Sequence, residues 1–309
     1  MFSFAFVAGL LTHVVYFHRG EHHLYPVRYI RSAIVVMAVA AIVLSRSNQS
    51  GGAMKSVLSA ALYFFVGLYS SLLMYRILFN PLNRFPGPFG AKVSDLWFSA
   101  RLGKGDAYRK IQALHHKYGD FVHIGPSDLS TIHPKAVEAI YGGKSRCTKS
   151  QSYDTNMPFV SLHATRDRAF HDQRRRLWST AFSDRALRGY EQRVTEYQNK
   201  LLERIDDNYG QSVNISRLFN FYSFDVMGEL TFGNSFNMLD TNESHWMVDM
   251  LHAGLRPFQF MFPVWFIRLV VQLFPFVMKN FYKLVHFCEQ QLETRRKVIP
   301  RPCRLCMCG

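Results

Sequence analysis

Hydrophobic residues crowd one end of this chain. From Ser56 to Tyr75, "SVLSAALYFFVGLYSSLLMY", twenty consecutive residues carry no charge, and Lys55 and Arg76 bracket them. That length matches one crossing of the hydrocarbon core of a bilayer. Upstream, "SAIVVMAVAAIVL" (32–44) is short for a span unless Tyr29 and Ile30 extend it past Arg31, and "FSFAFVAGLLTHVVYF" (2–17) is interrupted only by His13. Each of these two runs fits either a buried hairpin or a thin span. Residues 1–79 therefore read as a membrane anchor region with one firm span at 56–75 and up to three in all. No basic region precedes the first run and no small-residue cleavage site follows it, which argues against a cleaved signal peptide.

Downstream the pattern changes. "NPLNRFPGPFG" (80–90) packs three prolines and two glycines into eleven residues, which excludes helix interior and predicts a stiff hinge. In "GDAYRKIQALHHKYGD" (105–120), Ile111, Leu114 and Tyr118 keep helical spacing, with Asp106 as N-cap and Gly119 as the stop. "FVHIGPSDLSTIH" (121–133) reads as two short strands around a Gly-Pro turn. Pro134 suits the first position of another helix, ended by Gly142-Gly143. Residues 144–165 have no clear period and read as a long loop, a length often tied to function. Helical patterns follow over 171–183, Tyr190 to Asp207 and 214–233, the last stopped by Gly233. The Phe- and Met-rich segment 246–298 reads as two helices, with Pro257, Pro263 and Pro275 breaking its first part. The predicted fold class is mainly α with a small β-sheet, in a domain over 91–299 behind the anchor.

Composition adds a sign and a compartment. The formal charge is +15, which calls for an anionic partner: a membrane face, an acidic protein, an acidic cofactor or nucleic acid. The anchor and the lack of any nucleic-acid module argue against the last. Three of the five cysteines, Cys303, Cys306 and Cys308, sit in the aberrant tail 300–309, leaving Cys147 and Cys288 in the body. That is no disulfide framework, and the domain is expected to face a reducing compartment. The tail cysteines number three at a terminus, against the four framed ligands of a zinc site, so no metal site is assigned. Arg19, Arg28 and Arg31 in the 18–31 loop outnumber Arg46 and Lys55 in the 45–55 loop, which places the former loop and all that follows Arg76 in the cytosol. Asn48-Gln49-Ser50 is a glycosylation sequon in the opposite loop, of little weight so near the membrane.

One stretch carries candidate chemistry. In "HDQRRRLWSTAFS" (171–183) three arginines run into apolar residues. At about 100° per residue, His171, Arg175, Trp178 and Phe182 share one stripe, Arg174 lies at its edge and Arg176 points away. If Trp178 and Phe182 are core, Arg175 is carried towards the core, where its planar fork needs a carboxylate or phosphate. The plainer reading is a solvated helix end whose long stems lie over the aromatics.

The order of anchor, Pro-Gly hinge, "KYGDFVHIGPSDLSTIHPKAVEAIYG", "KSQSYD", "RRRLWSTAFSDRAL" and "FDVMGELTFG" resembles the N-terminal half of a cytochrome P-450, a haem-thiolate monooxygenase, of the filamentous-fungal type that serves secondary metabolism. The resemblance covers roughly residues 60 to 298. It implies that His171 and Arg175 match the family's Trp-x-x-x-Arg, whose members bond a haem propionate, with His in place of Trp. It also implies that 144–165 faces substrate and that 246–298 supplies the helix pair over an apolar pocket. Haem, O2, electrons from NADPH through a separate reductase, an apolar small-molecule substrate and the endoplasmic reticulum membrane are the expected cofactors and partners. The Phe-x-x-Gly-x-Arg-x-Cys-x-Gly loop that supplies the iron's thiolate is absent, and no catalytic or metal residue is assigned. Glu293-Thr294-Arg295-Arg296 matches the family's Glu-x-x-Arg only formally. The expectation is a truncated, inactive monooxygenase chain, through a shifted reading frame, an unspliced intron or natural truncation. The alternative is a non-enzymatic membrane-anchored remnant that binds a lipid or a partner.

Overall fold

Small residues decide how the apolar N-terminus packs. The computed structural model describes residues 2–47, 52–102, 105–255 and 259–298. Helix α1 (Phe2–Thr12) runs on through a wide π-turn to Phe17 and lies along α3 (Ala53–Met74). The two meet at Gly9 and Gly67. A methyl on Gly9 would stand 2.0 Å from the Phe64 carbonyl oxygen, and one on Gly67 would stand 2.2 Å from that of Phe6. Small residues that let backbones approach are the usual contact where both helices are already apolar. His13 Nδ1 and Ser71 Oγ share a buried hydrogen bond of 2.8 Å at the same crossing.

Helix α2 (Pro26–Ser47) is 22 residues long, about 33 Å, enough to cross a bilayer. It starts at Pro26, so Arg28 and Arg31 fall in its first two turns, and the short run 32–44 becomes part of a helix of span length. Two helices, then, have the length and apolar character of spans: α2, and α3 with its continuation through the π-turn Tyr75–Phe79. The helical segment Phe2–Phe17 is shorter. The sequon 48–50 lies outside the described residues.

The described chain divides into two compact units, Met1–Pro158 with Pro257–Pro275, and Phe159–Arg256 with Phe276–Gly309. In the first, the Pro-Gly segment is tied on both sides. Asn80 Nδ2 donates to the Pro126 carbonyl at 2.7 Å, Asn83 Nδ2 donates to the Arg76 and Ile77 carbonyls at 3.0 Å, and Arg76 Nη2 pairs with Asp95 at 2.9 Å. The His123 N–H donates to the Pro86 carbonyl at 2.8 Å, and a side chain at Gly87 would collide with that strand's backbone, 2.3 Å from the His123 oxygen. Short helices α4 (Phe89–Val93) and α5 (Leu96–Ser99) follow. Helix α6 (Ala107–Tyr118) ends at Gly119, as its spacing predicted, but Asp106 makes no side-chain cap. Its carboxylate instead pairs with Lys110 one turn on, at 3.1 Å.

Strands β1 (Phe121–Gly125) and β2 (Asp128–Thr131) form an antiparallel pair with Phe121 opposite Thr131 and Val122 opposite Ser130. His123 on β1 is fully buried, with neither ring nitrogen hydrogen-bonded among the described residues. Burial, then the Lys92 ammonium, lowers its pKa, against the raising effect of the nearby Pro126 and Gly125 backbone. Helix α7 (Lys135–Tyr141) ends at Gly142.

The second unit holds α8 (Arg168–Ser179), α9 (Asp184–Asp206), α10 (Ile215–Phe232), the short α11 (Met238–Thr241), α12 (Trp246–Leu255) and α14 (Lys279–Val298); α13 (Val264–Leu273) belongs to the first. The segment 246–298 thus forms three α-helices rather than the expected two. Pro263 sets the extended residue that starts α13, and Pro275 ends the path beyond it; Pro257 lies outside the described residues. Helix α9 also starts earlier than its pattern suggested, because Ser183 caps it, its Oγ accepting from the Ala186 N–H. Leu201, Leu218, Phe221, Met238, Leu239 and Val248 make the core here. Within it, the carboxylate of Asp225, 1% exposed, accepts from the backbone N–H groups of Met238 (3.0 Å) and Leu239 (2.8 Å). Arg204 Nε donates to the Leu239 carbonyl at 2.8 Å from the other side.

Two outcomes follow from this packing. Gly67→Val, which places methyls in the Phe6 backbone, lowers the midpoint of thermal unfolding in detergent micelles, while Gly52→Val, with open space around it, leaves it unchanged. Asp225→Leu strands two buried N–H donors and destabilises the second unit by about 2–4 kcal/mol in chemical denaturation, whereas Asp240→Leu changes stability by less than about 1 kcal/mol.

Candidate functional site

Helix α8 owes its start to Asp167, whose Oδ1 accepts from the Ala169 N–H (2.9 Å) and the Phe170 N–H (3.2 Å). That is the side-chain cap that sets the helical register of the arginines. Arg174 lies with its guanidinium 4.3 Å from the Phe170 ring centre, held one turn back along the helix. Arg176 is exposed. Arg175 is exposed as well and has no hydrogen-bond or ion-pair partner among the described residues. Its fork is free to take an anion.

Of the two readings of the stripe, the core one fails in two respects. Trp178 and Phe182 are 56% and 63% exposed, and no residue of α8 is buried, as the solvated reading has it. No described element covers that face, so Arg175 is not carried into an interior and bears no desolvation cost. In addition, the chain tightens to a 3₁₀ turn over Thr180–Phe182, which swings Phe182 about 60° from the position an α-helical wheel assigns it. His171, Arg175 and Trp178 remain on one face.

His171 has a local partner. Its Nδ1 lies 3.1 Å from Asp172 Oδ1. The hydrogen bond from His171 holds the Asp172 carboxyl below its usual range, so this carboxylate is an acceptor and Nδ1 carries the proton. Nε2 then bears a second proton only in the imidazolium form. A carboxylate reached through Nε2 meets either an imidazolium or a ring that has let Asp172 go.

These observations test the fit of a haem. A guanidinium fork with no partner, an imidazole one turn before it and an apolar ring one turn after it suit the carboxylate edge of the group. Among the described residues no cysteine is suited to the iron. The described cysteines are Cys147, exposed in the 144–165 loop, and Cys288 on α14. Burial, then Glu289, raises the Cys288 thiol, which disfavours the thiolate an iron needs. Cys303, Cys306 and Cys308 lie outside the described residues. Glu293 and Arg296 form no ion pair among the described residues; Arg295 instead donates to the Leu230 carbonyl at 2.6 Å.

The Phe- and Met-rich segment divides between packing and exposure. Phe236, His245, Trp246 and Phe287 pack on one another, Phe236 and His245 tilted at 4.9 Å and Trp246 and Phe287 edge-to-face at 5.3 Å, and burial lowers the pKa of His245. Phe276 and Tyr282, by contrast, are 73% and 52% exposed. Three features escaped the sequence pattern: Asp225, a buried bond between His23 Nε2 and Asp154 Oδ2 (2.8 Å), and the Arg193 Nε bond to Glu229 Oε1 (3.0 Å). Asp225 alone left a trace, as the single acid inside an apolar helical run until Glu229.

Comparison with known proteins bears on all of this. A model of the cytochrome P450 family matches residues 87–301. Cytochrome P450 monooxygenase notG' of Aspergillus versicolor is 50% identical, over 94% of this chain and 53% of its own length. Tryprostatin B 6-hydroxylase of Aspergillus fumigatus is 45% identical, over 93% of this chain and 53% of its own. Cytochrome P450 monooxygenase lcsK of Purpureocillium lilacinum is 39% identical, over 94% and 54%. The chain spans about half the length of the curated relatives it matches. No solved structure matches it.

The thiol contrast is directly measurable. At pH 7.5 iodoacetamide labels the peptide carrying Cys147 well before the peptide carrying Cys288, and labelling of Cys288 accelerates as the pH rises towards its raised pKa. Equal rates at both positions would contradict the burial assigned to Cys288.

Proposed function

The chain belongs to the cytochrome P450 family, and on that premise we propose that it carries the anchor, part of the substrate pocket and one propionate clamp of a monooxygenase of fungal secondary metabolism. The observation that carries the reading is Arg175: a guanidinium without a partner among the described residues, on one face of α8 with His171 and Trp178. Arg175 takes a haem propionate through its two-point fork, and His171, as imidazolium or freed from Asp172, adds a second donor. Haem, when bound with a thiolate ligand, supplies dioxygen activation.

The chain's own residues do the rest. Helices α2 and α3 hold it in the membrane, in this reading that of the endoplasmic reticulum, with the soluble part in the cytosol. Loop 144–165 is substrate-facing by family resemblance, and the aromatic residues of α12 and α14 offer apolar surface to a small molecule. Outward-facing basic residues such as Arg176 dock an acidic, NADPH-dependent reductase. Because these 309 residues hold no Phe-x-x-Gly-x-Arg-x-Cys-x-Gly loop, the polypeptide of this sequence by itself is without monooxygenase activity.

Haemin added to the detergent-solubilised 309-residue polypeptide quenches tryptophan fluorescence, and Arg175→Gln weakens that binding about tenfold, the loss expected for one charge-assisted bond. The reduced, CO-treated sample shows no thiolate-haem Soret band at the family's red-shifted position. A normal band would overturn the inactivity of this polypeptide. Equal haemin affinity for the variant would overturn the clamp. A monodisperse, protease-resistant chain that takes no haemin would favour a membrane-anchored binding protein.

A further inference from the structure

Residues 18–25 join α1 to α2, and side chains fasten them into a fixed shape. His22 Nε2–H donates to the Arg19 carbonyl at 2.7 Å, so its Nδ1 is the acceptor for the Tyr29 hydroxyl, also at 2.7 Å. The His22 ring in turn packs on Tyr16 and Phe17 at 4.7 and 5.3 Å. From this rigid base His23 points the other way and is buried, as is Val27 four residues on, while Glu21, Tyr25 and Arg28 are exposed. His23 is 5% exposed, and its Nε2 meets Asp154 Oδ2 at 2.8 Å, across 131 residues of chain.

Asp154 closes the 3₁₀ turn Gln151–Asp154, whose start Ser150 caps by accepting from the Ser152 N–H. Three residues later the same segment is held a second time. Arg268 Nη1, on α13, donates to the Met157 carbonyl at 2.5 Å. Helix α13 itself packs against α2, the helix that loop 18–25 introduces. Both fastenings of 151–158 therefore trace back to one membrane helix: one through the loop before α2, the other through the helix packed on its flank.

We propose that loop 18–25 and α13 form a seat for residues 151–158, and that His23 is the positioning residue that fixes this segment relative to the membrane helices. The inference rests on the proposed monooxygenase reading only in calling the segment substrate-facing; on that reading, the extra membrane helices α1 and α2 set the wall past which an apolar substrate enters. Glu21, His23 and Asp154 also bring ligand-type atoms within 4.8 Å of one another, so a bound cation is the competing account of the same geometry.

The test is hydrogen exchange on the 309-residue chain in phospholipid nanodiscs, without haem. His23→Ala speeds exchange of the amides in 151–157 about tenfold, while the β1 amides 121–125 keep their rates, which shows that the fold survives. His23→Gln, which keeps an N–H near the position of Nε2, restores most of the protection. Asp154→Ala speeds the same amides at least as much as His23→Ala, and the double variant adds nothing to Asp154→Ala. Chelation with EDTA leaves the rates unchanged. Unaltered exchange in His23→Ala would overturn the seat, and so would loss of protection on adding EDTA, since a cation rather than the direct bond would then hold the segment. No haem takes part, so failure of haemin to bind leaves this result standing, and failure of the seat leaves the propionate clamp untouched.

Discussion

The close crossing of α1 and α3 at Gly9 and Gly67 is the constraint from which the first unit follows. In an apolar medium neither helix gains by hiding hydrocarbon, so contact depends on backbone approach and on the single polar bond between His13 and Ser71. Once α1 is seated, its end fixes the start of loop 18–25. That loop is stiffened by His22 and Tyr29, and it delivers His23 to Asp154. Through that bond a residue before α2 and a residue well after α3 meet within the first unit.

The second unit depends on a different device. Asp225 is a carboxylate in an apolar core, tolerable because two backbone N–H groups of the 237–239 turn satisfy it. Asn237 takes a left-handed conformation to present those groups. Arg204 and Lys200 on α9 then bind the same turn from outside. One buried acid thus organises α9, α10 and α11 about a common point.

Helix α8 shows how charge and apolar surface coexist on one exposed face. Arg174 is spent on an aromatic ring, Arg176 faces solvent, and Arg175 is left with an uncommitted fork beside exposed Trp178. Three adjacent arginines are therefore not equivalent, and the difference comes from the helical angle between them rather than from their chemistry. The His171–Asp172 bond adds a refinement: in the neutral ring it occupies the single N–H that the imidazole has to donate.

Much of this was legible in the chain itself. The β1–β2 hairpin, α6 stopped by Gly119, α7 stopped by Gly142 and α10 stopped by Gly233 all follow from local rules, because backbone sterics and hydrophobic period act over a few residues. The shared stripe of His171 and Arg175 is of the same kind. Asp106 shows the limit of such rules: a residue suited to capping found a better partner in Lys110. Whether Trp178 and Phe182 are core was left open, because periodicity states which residues share a face, not whether anything covers it. The Asp225 pin and the His23–Asp154 bond were hidden, since each joins positions that local pattern does not connect. Sequence alone determined most of the elements, the long apolar run 56–75 and the angular order of the arginines, for these are set by the covalent chain and its nearest neighbours. Tertiary structure decided what each face meets, because burial and pairing depend on which distant segment arrives.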